Sequence, residues 1–242
     1  MELVRNLNPR SVPVLLLAGA VLVLGVGAKH GSGGDDEELE LEVARIFFEY
    51  NSTDNDLGVH IFLDGEDWKK MKIEKPNGQK LFEVKGHGPY ANLGMTELFF
   101  EGAEPSLDDV PLGQLLASFP EGEYEFEGRT VDGQEIEGEG ELSHAIPAAP
   151  AVQVQVGAND FLRISWTDVT GPPPGFPNEP IVIAAYQVLI GEELDVTLPA
   201  SANQLTISPE FVATLGPGTH KFEVLAIEES GNQSITESTF VK

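Results

Sequence analysis

Beyond residue 42 the chain is cut by turn dipeptides, among them Asp64-Gly65, Asn77-Gly78 and Asp132-Gly133, into apolar stretches too short for a helix of ordinary length. The stretches at 44–50, 59–63, 97–100 and 124–128 are rich in β-branched and aromatic residues, and no segment sustains helical periodicity for about 12 residues. A chain divided in this way can bury its apolar side chains only by pairing strands and packing the resulting sheets, so the expected class is all-β. One short helical segment is expected at 112–118.

Composition narrows the function. Of 242 residues, 41% are hydrophobic, enough for a packed core, while 40 Asp and Glu against 14 Lys and Arg give a formal net charge of −26. That charge repels phosphate backbones and anionic membranes, so no nucleic-acid partner is expected. Without cysteine there are no disulfides, thiolate metal sites or thiol nucleophiles. The chain carries no G-x-S-x-G elbow, no H-E-x-x-H, no phosphate-binding G-x-x-x-x-G-K-S/T and no G-x-G-x-x-G between a strand and a helix. Its histidines, His30, His60, His87, His144 and His220, are scattered with no pair at metal-ligand spacing. The expectation is a protein that is not an enzyme, with no catalytic residues and no cofactor.

Arg5 and Arg10 precede an uncharged run at 11–28 that ends in Val26-Gly27-Ala28, the layout of a secretory signal peptide. Cleavage after Ala28 would release a secreted or periplasmic protein; the alternative is an uncleaved N-terminal anchor with the folded part still outside the cytoplasm. No cysteine is present to carry a lipid anchor, and the last strand runs to Lys242, leaving no room for a C-terminal sorting tail. Residues 29–42, Gly/Ser followed by an acidic run, read as a flexible, self-repelling tether.

The Pro147–Pro150 stretch marks a boundary between 43–146 and 147–242. In the second half Leu162, Ile164 and Trp166 alternate onto one face, Ile183, Tyr186 and Val188 follow at I-x-x-Y-x-V spacing, and Leu215-Gly216-Pro217-Gly218-Thr219 feeds a strand carrying Phe222, Val224 and Ala226. Together with the early proline, this set resembles a fibronectin type III domain over residues 147–242. The resemblance implies a β-sandwich in which Trp166 and Tyr186 are structural, and a non-catalytic binding or spacer role. In such sandwiches a tyrosine usually follows the P-G-T turn and ties the corner to the backbone. Here His220 holds that place, and an imidazole can donate the same hydrogen bond. Residues 116–126 align without gaps on 212–222, with Tyr124 falling on His220, so 43–146 is expected to be a second, divergent immunoglobulin-like sandwich with Tyr124 at its corner. The overall expectation is two tandem sandwiches behind a signal peptide.

Three features are candidates for binding. Asp54 and Asp56, with Asp64, Glu66 and Asp67 nearby, offer hard oxygen ligands for calcium, although Val59 and Gly65 stand where an EF-hand counted from Asp54 needs glycine and glutamate. The other reading is two hairpin turns rich in Asp and Asn. If Val131-Asp132-Gly133 is a three-residue hairpin loop, Tyr124 faces Gly140 and Phe126 faces Gly138, while Glu123, Glu125 and Glu127 face Glu141, Glu139 and Glu137. Such a ladder of like charges binds cations, docks a basic surface, or keeps a sheet edge soluble. Phe176, in the proline-rich loop 170–180, either makes a binding contact or tucks over its own domain. Asn51-Ser52-Thr53 and Asn232-Gln233-Ser234 have the form of glycosylation sequons.

The functional expectation is an exported binding or spacer protein with a protein or carbohydrate partner. The alternatives are a calcium-dependent adhesin-like module and an accessory component of a secreted hydrolase.

Overall fold

The computed structural model describes residues 39–242. The signal sequence and most of the acidic tether lie outside the described residues. The first half runs β1 (Leu39–Glu40), β2 (Val43–Asn51), β3 (Asp56–Glu74), β4 (Lys80–Lys85), α1 (Tyr90–Leu93), β5 (Met95–Glu101), α2 (Leu112–Ser118), β6 (Gly122–Thr130) and β7 (Glu135–Leu142). The second runs β8 (Val152–Val156), β9 (Leu162–Trp166), β10 (Ile183–Ile190), β11 (Leu194–Pro199), β12 (Gln204–Ile207), α3 (Pro209–Thr214), β13 (Thr219–Glu228) and β14 (Gln233–Val241). The protein is therefore all-β, and no helix among the described residues is long and apolar enough to cross a membrane.

In the second half β12-β9-β8 pack as three strands against β14-β13-β10-β11, the two-layer sandwich that the fibronectin resemblance implies. Leu162, Ile164 and Trp166 of one sheet meet Tyr186, Val188, Phe222 and Val224 of the other in a buried core. The Tyr186 hydroxyl accepts a hydrogen bond from the Val169 N–H at 2.9 Å, and its ring lies 5.5 Å from Trp166.

The first half is organised by β3, whose two ends have different partners. Residues 56–64 pair with β2 on one edge and residues 70–74 with β6, while β5 and β4 lie in line along the other edge. The register shifts between Asp64 and Lys70. Asp64-Gly65, expected as a turn, is therefore a break within a continuous strand: a Cβ on Gly65 would sit 2.9 Å from Leu41, so glycine admits that leucine. The sheet folds over on itself, β2 crossing β7 where a Cβ on Gly138 or Gly140 would stand 3.1 Å from Ala44. Inside lie Ile46, Phe48, Ile61, Leu63, Trp68, Tyr124 and Phe126. Residues 39–42, expected as part of the tether, belong to the fold instead. Leu39 and Leu41 alternate with glutamates and pack on this core, β1 pairs in parallel with β7, and Leu41 N–H donates to Glu137 O at 2.7 Å.

The two corners match. Tyr124 Oη donates to Pro120 O at 3.0 Å and His220 Nε2 to Gly216 O at 2.8 Å, with α2 and α3 preceding each corner. The sheets are also joined: β14 pairs in parallel with β2, Gln233 beside Glu49 and Ile235 beside Asn51, so one eleven-stranded sheet passes through both halves.

Candidate functional site

Strand alternation builds a polar cluster where the halves meet. Ile46 and Phe48 on β2, and Val59 and Ile61 on β3, face the first core, which turns Phe47, Glu49 and His60 to the opposite side of the sheet. There Leu189, Leu225 and Ile235 of β10, β13 and β14 form a small apolar cluster. Gln233, the register neighbour of Glu49, donates a hydrogen bond from Nε2 to Glu49 Oε2. His60 is 2% exposed. Its Nε2 stands 3.9 Å from Glu49 Oε1 and 3.5 Å from Oε1 of Glu104, in the segment after β5. Neither ring nitrogen has a hydrogen-bond partner of acceptable geometry. The rings of Phe47 and Phe99 flank the imidazole at 5.2 and 5.7 Å, and Glu101 is its register partner on β5. A cavity of ≈ 10 Å³ opens between Glu49, His60, Glu101 and Leu225, space for about one water molecule.

The electrostatics follow from crowding. Burial pushes the Glu49 carboxyl up to about 7; the charge of His60 and the Gln233 hydrogen bond oppose the shift, while Glu104 and Glu101 add to it. Burial alone would lower the His60 pKa, but contact with Glu104 and the charges of Glu49 and Glu101 outweigh it and hold the imidazole above its ordinary value. Glu101 is raised as well, by burial and then by Glu104. The cluster can share protons or surround a cation; the cavity is too small to admit an organic substrate.

A second acidic group, Glu74, Glu125 and Glu127, lies at the foot of the glutamate ladder. Lys72 Nζ reaches Glu127 at 2.8 Å and Glu74 at 2.9 Å, which already neutralises part of its charge. The ladder has the register read from the sequence, Glu123 beside Glu141, Glu125 beside Glu139 and Glu127 beside Glu137, with Tyr124 and Phe126 buried beside Gly140 and Gly138. The charge of Glu139 raises the Glu123 pKa.

The other candidates are placed as follows. Asp54 is exposed in the turn after β2, Asp56 opens β3 beside Ser106, and neither belongs to a group of three potential ligands among the described residues. Phe176 is half-buried with its ring 4.8 Å from Tyr50, so a loop of the second half rests on the core of the first. Asn232 is 1% exposed, its Oδ1 accepting from Phe48 N–H at 2.8 Å and its Nδ2 donating to Ser143 O and Ala145 O, so it is closed to a glycan. Sequence reasoning passed over Glu49, His60 and Glu104 because they are far apart in the chain. The one local signal was a polar pair at alternating positions within otherwise apolar strands.

No protein-family model matches the chain, and no curated protein matches it. Among solved structures it is similar to the spore cortex lytic enzyme SleM of Clostridium perfringens (18% identity, 40% of this chain and 28% of that one, TM-score 0.32). It is also similar to the fibronectin(III)-like modules of Clostridium thermocellum CbhA (11%, 84% and 93%, TM-score 0.29) and to the FN1–FN3 domains of chicken CNTN1 (12%, 85% and 64%, TM-score 0.31). The chain spans under two thirds of the SleM and CNTN1 structures. The sandwich assignment rests on the strand order itself.

Proposed function

We propose that this protein is an exported, non-catalytic spacer that holds two β-sandwiches as one rigid body and presents their end loops to a protein or carbohydrate partner outside the cytoplasm. The observation that supports this reading is the junction between the halves. Besides the parallel pairing of β14 with β2, the connecting segment is bound along its length: Asn232 Nδ2 donates to Ser143 O and Ala145 O, Ser234 Oγ to Pro147 O, and Thr236 Oγ1 to Pro150 O at 2.7 Å. A hinge needs backbone free to change its dihedral angles, and the connecting segment is pinned by hydrogen bonds that are buried or partly buried. The surface charge keeps such a body soluble and turns away polyanions.

The absence of cysteine gives a clean test. Spin labels on Asp132→Cys in the β6–β7 loop and Glu192→Cys in the β10–β11 turn, both exposed, report the separation of the halves by pulsed dipolar resonance. A rigid spacer gives one narrow distance distribution; a broad or multimodal one overturns the reading. Export is checked separately by N-terminal sequencing of the secreted protein, which should begin at Lys29.

A further inference from the structure

We propose that Glu49, His60 and Glu104 form a site for one divalent first-row transition cation of the zinc type, with Gln233 fixing the orientation of Glu49. The donor set selects the class. One imidazole nitrogen with two carboxylate oxygens suits zinc and its neighbours, whereas calcium and magnesium take six or more oxygen ligands. The three donor atoms lie within 4.8 Å of one another. With metal–ligand distances of about 2.0–2.2 Å at a tetrahedral angle, donors are separated by roughly 3.4 Å. The observed Nε2 separations of 3.5 Å to Glu104 and 3.9 Å to Glu49 need only a small contraction to close around an ion.

Independent observations point to a ligand here. His60 is 2% exposed, its Nε2 faces two carboxylates, and neither ring nitrogen makes a hydrogen bond, so a buried imidazole is aimed into the cluster without a hydrogen-bond partner of its own. Gln233 Nε2 occupies Glu49 Oε2 and leaves Oε1, the oxygen nearer His60, for the metal; metal-binding carboxylates are commonly held in this way. Gly58 makes room for the third ligand, since a Cβ there would stand 2.6 Å from Glu104 Cγ. The adjoining cavity leaves space for about one water as a fourth ligand. All three ligands belong to the first half, and the second half contributes the Gln233 hydrogen bond that orients Glu49. The Glu74, Glu125 and Glu127 group lacks these features, its charge being met by Lys72.

The test is titration calorimetry of the chelator-stripped protein at neutral pH with zinc and, separately, calcium, repeated on Glu104→Gln, Gly58→Ala and His60→Asn, with circular dichroism to confirm that each variant is folded. Glu104 lies outside the strands and is only partly buried, so Glu104→Gln keeps the test decisive if His60→Asn, or Gly58→Ala in the buried strand β3, does not fold. The expected result is one zinc ion per chain with little calcium binding, and affinity reduced about 100-fold or more in Glu104→Gln, at or beyond the upper end of the 10–100-fold cost of losing an outer partner of a ligand. X-ray absorption at the zinc edge should show a single imidazole among light-atom ligands at about 2.0–2.1 Å. The proposal is overturned if the wild type takes up no stoichiometric zinc, if calcium binds as tightly, or if the folded variants bind zinc like the wild type.

Discussion

The Tyr124 phenol and the His220 imidazole each donate to a carbonyl four residues earlier, at 3.0 and 2.8 Å, so two different side chains close equivalent corners. Tyr124 is fully buried, and removing its hydroxyl strands Pro120 O. Tyr124→Phe should cost about 1 kcal/mol in urea denaturation. His220→Tyr should be tolerated, because a phenol at that place can donate to the same carbonyl. Glu49 makes a pH prediction. Its folded carboxyl, near 7, lies above the ordinary 4.5, so the folded chain holds this proton more tightly than the unfolded one. The resulting stabilisation is complete below about 4.5 and is lost as pH rises to about 7. His60, also raised, acts in the same sense, contributing below its ordinary 6.5 and losing that contribution as pH passes its folded value. Glu104, Glu101, Gln233 and Glu223 surround the pair. With chelator present, the urea midpoint should fall as pH rises through this window, and Glu49→Gln should flatten the fall; an unchanged slope would refute the assignment.

At the scale of elements, the β6–β7 hairpin is the part most legible in the sequence. Gly133 takes φ 92° in a loop that returns Gln134 to Thr130, and from that turn every facing pair follows, the aromatics over glycines and the glutamates over one another. Like charges at such positions repel, so Glu139→Lys should raise Tm and weaken the stabilising effect of added salt, as read by thermal melts across sodium chloride concentrations. The helix at 112–118 was legible too, whereas α3 was missed although Ser208 accepts from Phe211 N–H and Pro209 opens its first turn. β3 was read as a strand ending at a turn because Asp-Gly is a turn signal. Only the close approach of Leu41 explains why glycine stands there in mid-strand. Asn232 is an element-scale clasp, joining the β13–β14 turn to β2 and to the connecting segment by three hydrogen bonds. Asn232→Ala leaves Phe48 N–H and two carbonyls without those partners, and should cost about 3 kcal/mol by chemical denaturation.

The whole molecule should unfold as one unit. The β14–β2 pairing, the Asn232 clasp and the Phe176–Tyr50 contact all cross between the halves, so calorimetry of the wild type should show a single transition, and Asn232→Ala combined with Phe176→Ala should resolve it into two. A wild type that melts in two steps would show that the junction is weaker than its bonds suggest. By itself the sequence determined the all-β class, most strands, the ladder register and both corners, because side-chain alternation and turn residues act over a few neighbouring positions. Only the tertiary structure decided that the sheets fuse, that Phe176 rests on the other half, and that Glu49, His60 and Glu104 come together. Glu49 and Gln233 are separated by 184 positions, and a contact made by two sheets closing over such a distance leaves no periodic mark in the chain.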